Sequence, residues 1–250
     1  MAQSKLIEVN ISSDSSENLI INTEVDSKKE EIVISKIKRI FRLDEDYNEF
    51  YDLVNNDKDF NWVIAKGAGR MLRSASIWED MVKMLCTTNC TWRLTQIMTE
   101  NLFTIVGESK FFPSSTVIAK TDEQFLREKI KMGYRAPYLW QFAKEVANKN
   151  LNLEKFENWN HDSISLYKEI RKIKGFGDYA VSSLMKLLGR YDFMGFDSWN
   201  RKQFYNTHKN GKSCSDEQIT NFYKKYGKWA GLFFWLDVTK EWYFRENPWE

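Results

Sequence analysis

The chain has 250 residues, 42% of them apolar and 29% charged, which is the balance of an ordinary folded protein and excludes a disordered one. Its net charge of +2 is uneven: residues 1–50 carry 7 Lys and Arg against 11 Asp and Glu, and the rest carry 30 against 24, a modestly basic body compatible with a polyanionic partner. Three cysteines argue for a reducing compartment and against a disulfide scaffold or a four-cysteine iron–sulfur cluster, and neither a membrane span nor a signal peptide is legible.

Taken in chain order, residues 1–42 read as a short N-terminal β element. Leu6-Ile7-Glu8-Val9-Asn10-Ile11, Leu19-Ile20-Ile21 and Ile32-Val33-Ile34 are β-branched runs separated by polar clusters. From Asp44 onward the pattern is helical, so residues 43–250 are expected to form one mainly α body of about eight to ten helices. Capping boxes at Ser76-x-x-Glu79, Thr121-x-x-Gln124 and Ser215-x-x-Gln218 mark helix starts, each before apolar residues at three- and four-residue spacing. Pro113 and Pro137 stand where a loop or a first helical turn is expected.

The segment from Asp162 to Trp199 carries the most chemical information. Asp162 can cap a helix with Ile164, Tyr167, Ile170 and Ile173 on its apolar side. Lys174-Gly175-Phe176-Gly177 then makes a tight turn, and a second helix starts at Asp178 and closes at Gly189. The glycines permit positive φ and close approach to the backbone, and the N–H groups at the second helix start can cradle an anion. Arg171, Lys172 and Lys174 flank that cradle. On its own, Gly-x-Gly here is an αα-turn with glycine stops. Asp197 follows the second glycine by twenty residues and precedes Trp199-Asn200-Arg201, where it can be a helix cap, a catalytic carboxylate, or both.

A Gly-x-Gly hairpin with a lone Asp at this distance resembles the helix-hairpin-helix DNA glycosylases. Two further segments are similar to the 8-oxoguanine branch: Met84-Leu85-Cys86-Thr87-Thr88-Asn89-Cys90-Thr91, and Lys131-Met132-Gly133-Tyr134-Arg135-Ala136-Pro137-Tyr138. The resemblance implies a mainly α helix-hairpin-helix fold acting on duplex DNA that holds a damaged base. It implies that Gly175, Gly177 and Lys174 grip the DNA backbone, with a monovalent cation at the hairpin in many members and no organic cofactor. Asn89 and Arg135 would then read the orphaned base and Tyr134 would fill the gap, with Asp197 serving the excised nucleotide. A flipped-out nucleotide leaves an unstacked hole and an unpaired partner, which need an aromatic wedge and hydrogen-bonding groups.

Two departures define what kind of glycosylase is expected. Bifunctional members place a Schiff-base Lys two residues after the second hairpin glycine, where this chain has Tyr179. A phenol forms no imine, so a monofunctional hydrolase is expected. The segment Trp229-Ala230-Gly231-Leu232-Phe233-Phe234-Trp235 aligns with the helix lining the base pocket, with Gly231 in place of a Gln and Trp235 in place of a stacking Phe. With Trp199 as a third pocket residue, the pocket is expected to take a damaged purine, oxidised or alkylated, and space at Gly231 with a larger ring at Trp235 suits a methylated one carrying positive charge. The competing expectations are a non-catalytic DNA-binding module and a glycosylase with weak lyase activity through Lys174 or another amine. Cys86, Cys90, His161 and His208 are too few and too scattered for a zinc site. The protein is expected to act as a monomer, away from membranes, on DNA in a nucleoid or a nucleus.

Overall fold

The computed structural model describes residues 9–13 and 19–245. Strands β1 (Val9–Ser13) and β2 (Leu19–Thr23) pair antiparallel, with Val9 opposite Thr23 and Ser13 opposite Leu19. Leu6-Ile7-Glu8 of the first expected strand lie outside the described residues. The third expected strand is not one: Ile32-Val33-Ile34 sit inside helix α1 (Ser27–Phe41). A three-residue apolar run fits either period, and here Val33 and Ile37, one turn apart, are buried while Ile32 is exposed. Charged residues on the other face, with the chain's need to satisfy backbone groups locally, complete the helix.

The helical body continues through α2 (Asn48–Asn55), α3 (Trp62–Ala65), α4 (Ile77–Cys86), α5 (Trp92–Asn101), α6 (Ser115–Ala119) and α7 (Glu123–Glu128). It then passes through α8 (Ala136–Ala147), α9 (Glu154–Glu157), α10 (Ser163–Arg171), α11 (Asp178–Leu187), α12 (Ser198–His208), α13 (Asp216–Tyr223) and α14 (Ala230–Thr239). Ten helices among the described residues have eight residues or more, and the rest are one-turn connectors. None is long and apolar enough to cross a membrane.

The helix starts follow local chemistry. Ser76 Oγ accepts the Glu79 N–H at the start of α4, and Ser215 and Gln218 close a reciprocal capping box on α13. The start of α7 is shifted by one residue from the expected position. Asp122, not Thr121, accepts the Phe125 N–H at 2.7 Å, and the Thr121 hydroxyl donates back to the Ile118 carbonyl that ends α6. A carboxylate is the stronger acceptor at a helix N-terminus, so it takes the cap. Pro137 occupies the first turn of α8, and Pro113 lies in the loop before Ser114, the cap of α6.

Two apolar clusters make up the core. One gathers residues of α4, α5, α8, α10 and α11, including Leu85, Leu139, Phe142 and Leu184. The other gathers α2, α3, α12, α13 and α14 around Phe50, Tyr223 and Phe233, with Phe233 stacked on Tyr226 at 3.7 Å between centroids. Arg42 just after α1 is buried and fastens the two: its guanidinium donates to the Lys186 carbonyl of α11 at 2.7 Å, to the Met71 carbonyl and to Glu45. A wide cleft of about 2040 Å³ runs along the junction of the two clusters.

Candidate active site

The hairpin between α10 and α11 forms one wall of the cleft. Asp162 caps α10 by accepting the Ser165 N–H at 2.8 Å. Gly175 has φ +92°, and a Cβ there would lie 2.8 Å from Leu85 Cδ1 and 3.0 Å from Tyr138 Cβ. Both the backbone and the packing demand glycine. Gly177 is different. Its φ is −77° and a Cβ would meet nothing within 4 Å. It is the N-cap of α11 and has no side chain to offer, so the first N–H groups of that helix have no side-chain cap, and the first turn lines the cleft. Asp178 is occupied by Arg171 and by the Tyr167 hydroxyl, each at 2.8 Å, and Lys172 pairs with Glu169. Lys174 has no ion pair or hydrogen bond among the described residues, and its ammonium stays available to an anion.

Asp197 faces the hairpin from the other wall. Its Oδ1 accepts the Asn200 N–H at 2.7 Å, and its own N–H donates to Asn200 Oδ1 at 3.0 Å. The Asn200 amide donates onward to the Gly195 carbonyl at 2.6 Å, fixing the segment that delivers the carboxylate. Asp197 is therefore a cap, as its place in the sequence allowed. Oδ2 accepts no hydrogen bond among the described residues, so half of the carboxylate is left to the cleft.

Tyr179 lies across from it on α11. Burial pushes its phenol above the ordinary range, the Asp197 charge adds to the rise, and hydrogen bonding by Thr87 and Ser183 pulls the other way. The phenol is neutral throughout the physiological range. Gly195 allows the approach: a Cβ there would sit 2.6 Å from Ser183 Oγ and 3.1 Å from the Tyr179 carbonyl.

Beside Asp197 stand three tryptophans. Trp199 and Trp242 face each other at 5.1 Å with 30° between planes, and Trp235 meets Trp242 edge-on at 5.8 Å. All three line the cleft. Trp242 lies in the turn after α14 and was missed from the sequence, where an aromatic-rich C-terminal stretch gives no positional signal. Phe233 and Phe234 of the same helix are core.

The rim opposite the tryptophans carries Asn89 and Tyr134. Asn89 is exposed with φ +44°, and its amide makes no hydrogen bond among the described residues. The Tyr134 ring is 45% exposed and its hydroxyl donates to the Thr88 carbonyl at 3.2 Å. Arg135, expected beside them as a base reader, is instead buried and does not line the cleft. Its Nε donates to Thr88 Oγ1 at 3.1 Å and its Nη2 to the Thr88 carbonyl, so the guanidinium clamps the loop that presents Asn89. The start of α8, following directly, turns this side chain inward while leaving Tyr134 outward.

Gly231 also departs from expectation. It offers no space: a Cβ would lie 2.1 Å from the Phe193 carbonyl oxygen, and the Gly231 N–H donates to the Tyr191 carbonyl at 2.6 Å. The glycine is there so that α14 can press against the 191–193 backbone, and it does not line the cleft. The cleft brings together Asn89, Tyr134, Lys174, Gly175, Gly177, Tyr179, Asp197, Trp199 and Trp235, and leaves out Arg135 and Gly231.

No protein-family model and no curated protein matches the sequence. Solved structures match the fold over nearly the whole chain. An 8-oxoguanine glycosylase/lyase from Clostridium acetobutylicum, in complex with double-stranded DNA, superposes with a TM-score of 0.70 at 20% identity, covering 93% of this chain and 82% of that one. The 3-methyladenine DNA glycosylase of Archaeoglobus fulgidus gives 0.74 at 17% identity over 96% and 85%. That of Schizosaccharomyces pombe, in complex with abasic DNA, gives 0.60 at 16% identity over 74% and 92%. The chain has the helix-hairpin-helix DNA glycosylase fold, as its motifs led us to expect. Among the described residues no group of three or more His, Cys, Asp and Glu is placed to hold a metal ion.

Proposed function

We propose that this protein is a monofunctional DNA N-glycosylase that flips a damaged purine out of duplex DNA and hydrolyses its N-glycosidic bond. The observation that carries the reading is the cleft itself. One concave surface of a glycosylase fold holds a half-free carboxylate at Asp197, an uncapped helix start at Gly177, an unpaired Lys174 and an exposed wedge at Tyr134.

In this reading the α11 N-terminus and Lys174 hold backbone phosphate, and Tyr134 occupies the gap left by the extruded nucleotide. As the bond from C1′ to the base nitrogen breaks, its electron pair leaves with the base and positive charge grows on the sugar. Asp197 Oδ2 stabilises that charge and accepts a proton from the water whose oxygen bonds to C1′. The products are free base and an abasic site. Tyr179 stands where a lyase needs an amine, and a neutral phenol supplies no Schiff base.

The three tryptophans support an alkylated rather than an oxidised purine. A base carrying positive charge gains about 0.5–2 kcal/mol over such rings relative to a neutral one. The backbone-filled surroundings of Gly231 also leave no room for a side chain that would read the Watson–Crick edge of 8-oxoguanine. The test is base release from duplexes carrying 3-methyladenine, 7-methylguanine, hypoxanthine, 8-oxoguanine or uracil. Release of the methylated purines and not of uracil is expected. Tight binding without release from any duplex would leave a non-catalytic DNA-binding module in its place.

A further inference from the structure

Trp92 lines the cleft at the start of α5. It is 70% exposed, the most exposed large apolar side chain among the described residues. Each of the other eight described tryptophans has an aromatic or hydrogen-bonding partner, and Trp92 has neither. Solvating an indole this fully forgoes a large burial energy, which stabilises the chain only if the ring is covered by something else. Its backbone is firmly held. Trp92 is the first residue of α5, whose cap Thr91 accepts the Leu94 N–H at 3.3 Å. The preceding loop is clamped at Thr88 by Arg135 and Tyr134.

The ring lines the same cleft as Asn89 and Tyr134, on the Asn89 rim. Next to it Arg93 is exposed and makes no ion pair or hydrogen bond among the described residues. Trp92 offers a stacking face inside the cleft, and Arg93, the next residue of the helix, is a free guanidinium outside the cleft lining that suits a backbone phosphate. A protein partner would more often be met by a broad apolar patch than by one ring beside a bare cation.

We propose that Trp92 stacks on a nucleobase of the undamaged strand next to the orphan, while Arg93 contacts the adjoining phosphate. The bent duplex is then held open by two aromatic rings, Tyr134 in the gap and Trp92 on the neighbouring base. This rests on the DNA glycosylase reading, and deepens it by assigning the strand opposite the lesion its own platform.

The experiment uses a duplex with a tetrahydrofuran abasic analogue and 2-aminopurine placed beside the orphan on the opposite strand. Wild type, Trp92→Ala, Trp92→Phe and Arg93→Ala are compared for affinity and for the fluorescence change of the probe. Trp92→Ala is expected to weaken binding roughly 5- to 100-fold and to abolish the fluorescence change, with Trp92→Phe retaining most of both. Arg93→Ala is expected to lower affinity while leaving the fluorescence change of the bound complex intact. Wild-type binding with Trp92→Ala inside twofold of it would overturn the stacking role and leave the glycosylase reading standing. Failure of the wild type to bind this duplex would overturn both.

Discussion

Asp197 and Asn200 hold each other in a closed ring of two hydrogen bonds, side chain to backbone in both directions. One oxygen of the carboxylate is thereby pinned, and the other accepts no hydrogen bond among the described residues of the cleft that Asp197 lines. Asp197→Asn keeps a competent cap, so its melting temperature should stay near that of the wild type, and lesion-duplex binding should change by no more than a few-fold. Base release should fall by at least ~10²-fold, the scale of a lost general base. Asn200→Ala breaks the ring and the bond to the Gly195 carbonyl, and should cost about 1–3 kcal/mol of stability as well as activity. Denaturation and single-turnover base release on both variants separate the two roles.

With Tyr179 where an amine would be needed, borohydride should trap no covalent adduct between the wild-type protein and abasic DNA. Tyr179→Lys should create one, because the position faces Asp197 across the cleft. A strong wild-type adduct that persists in Lys174→Gln would point to a different amine and remove the monofunctional assignment.

The two hairpin glycines should behave oppositely. Gly175→Ala meets both a left-handed backbone and Leu85, and should lose about 1–3 kcal/mol of stability. Gly177→Ala has an ordinary φ and empty space around it, so stability should remain within about 1 kcal/mol of wild type. Its methyl group projects to where a phosphate would sit, and affinity for duplex DNA should drop. Urea denaturation set beside DNA titration reads the contrast directly.

Arg135→Ala tests what a buried guanidinium does for the rim. Losing the clamp on Thr88 should lower excision by a similar factor whichever of the four bases lies opposite the lesion, because the arginine does not reach the cleft. The salt dependence of binding should be unchanged, since no phosphate contact is removed. A preference for cytosine that flattens in the variant would instead put the guanidinium on the orphaned base.

Lys186 lies buried on α11, donating to the carbonyls of Ser182 at 3.2 Å and Phe193 at 3.4 Å, and burial brings its ammonium down to about 8. The unfolded chain keeps that proton to about pH 10.4, so between pH 8 and 10 the unfolded state binds more protons and stability rises with pH. Below pH 8 the lysine is charged in both states and the full burial penalty applies. Wild type should therefore gain about 2 kcal/mol relative to Lys186→Met between pH 7.5 and 9.5. Chemical denaturation of the two proteins at those pH values checks the sign.

Features that depend on a few neighbouring residues were legible without a fold. The caps at Ser76, Asp162 and Ser215, the Gly175–Gly177 turn and the helix starting at Asp197 all rest on hydrogen bonds spanning three or four residues, which composition and spacing suffice to specify. The helical fold followed from those starts and from apolar periodicity. Ile32-Val33-Ile34 escaped because three apolar residues suit a strand or a helix equally, and only the packing of Val33 and Ile37 selects one. Side-chain direction at the site was decided by tertiary contacts. Arg135 turns inward because Thr88, 47 residues away, offers it two acceptors, and Gly231 is closed because the 191–193 backbone lies against it. Trp242 joins Trp199 and Trp235 only because the turn after α14 folds back over α12. Spacing along a chain specifies what a residue can bond to nearby, whereas which face it shows to a cleft depends on distant segments that compete for the same space.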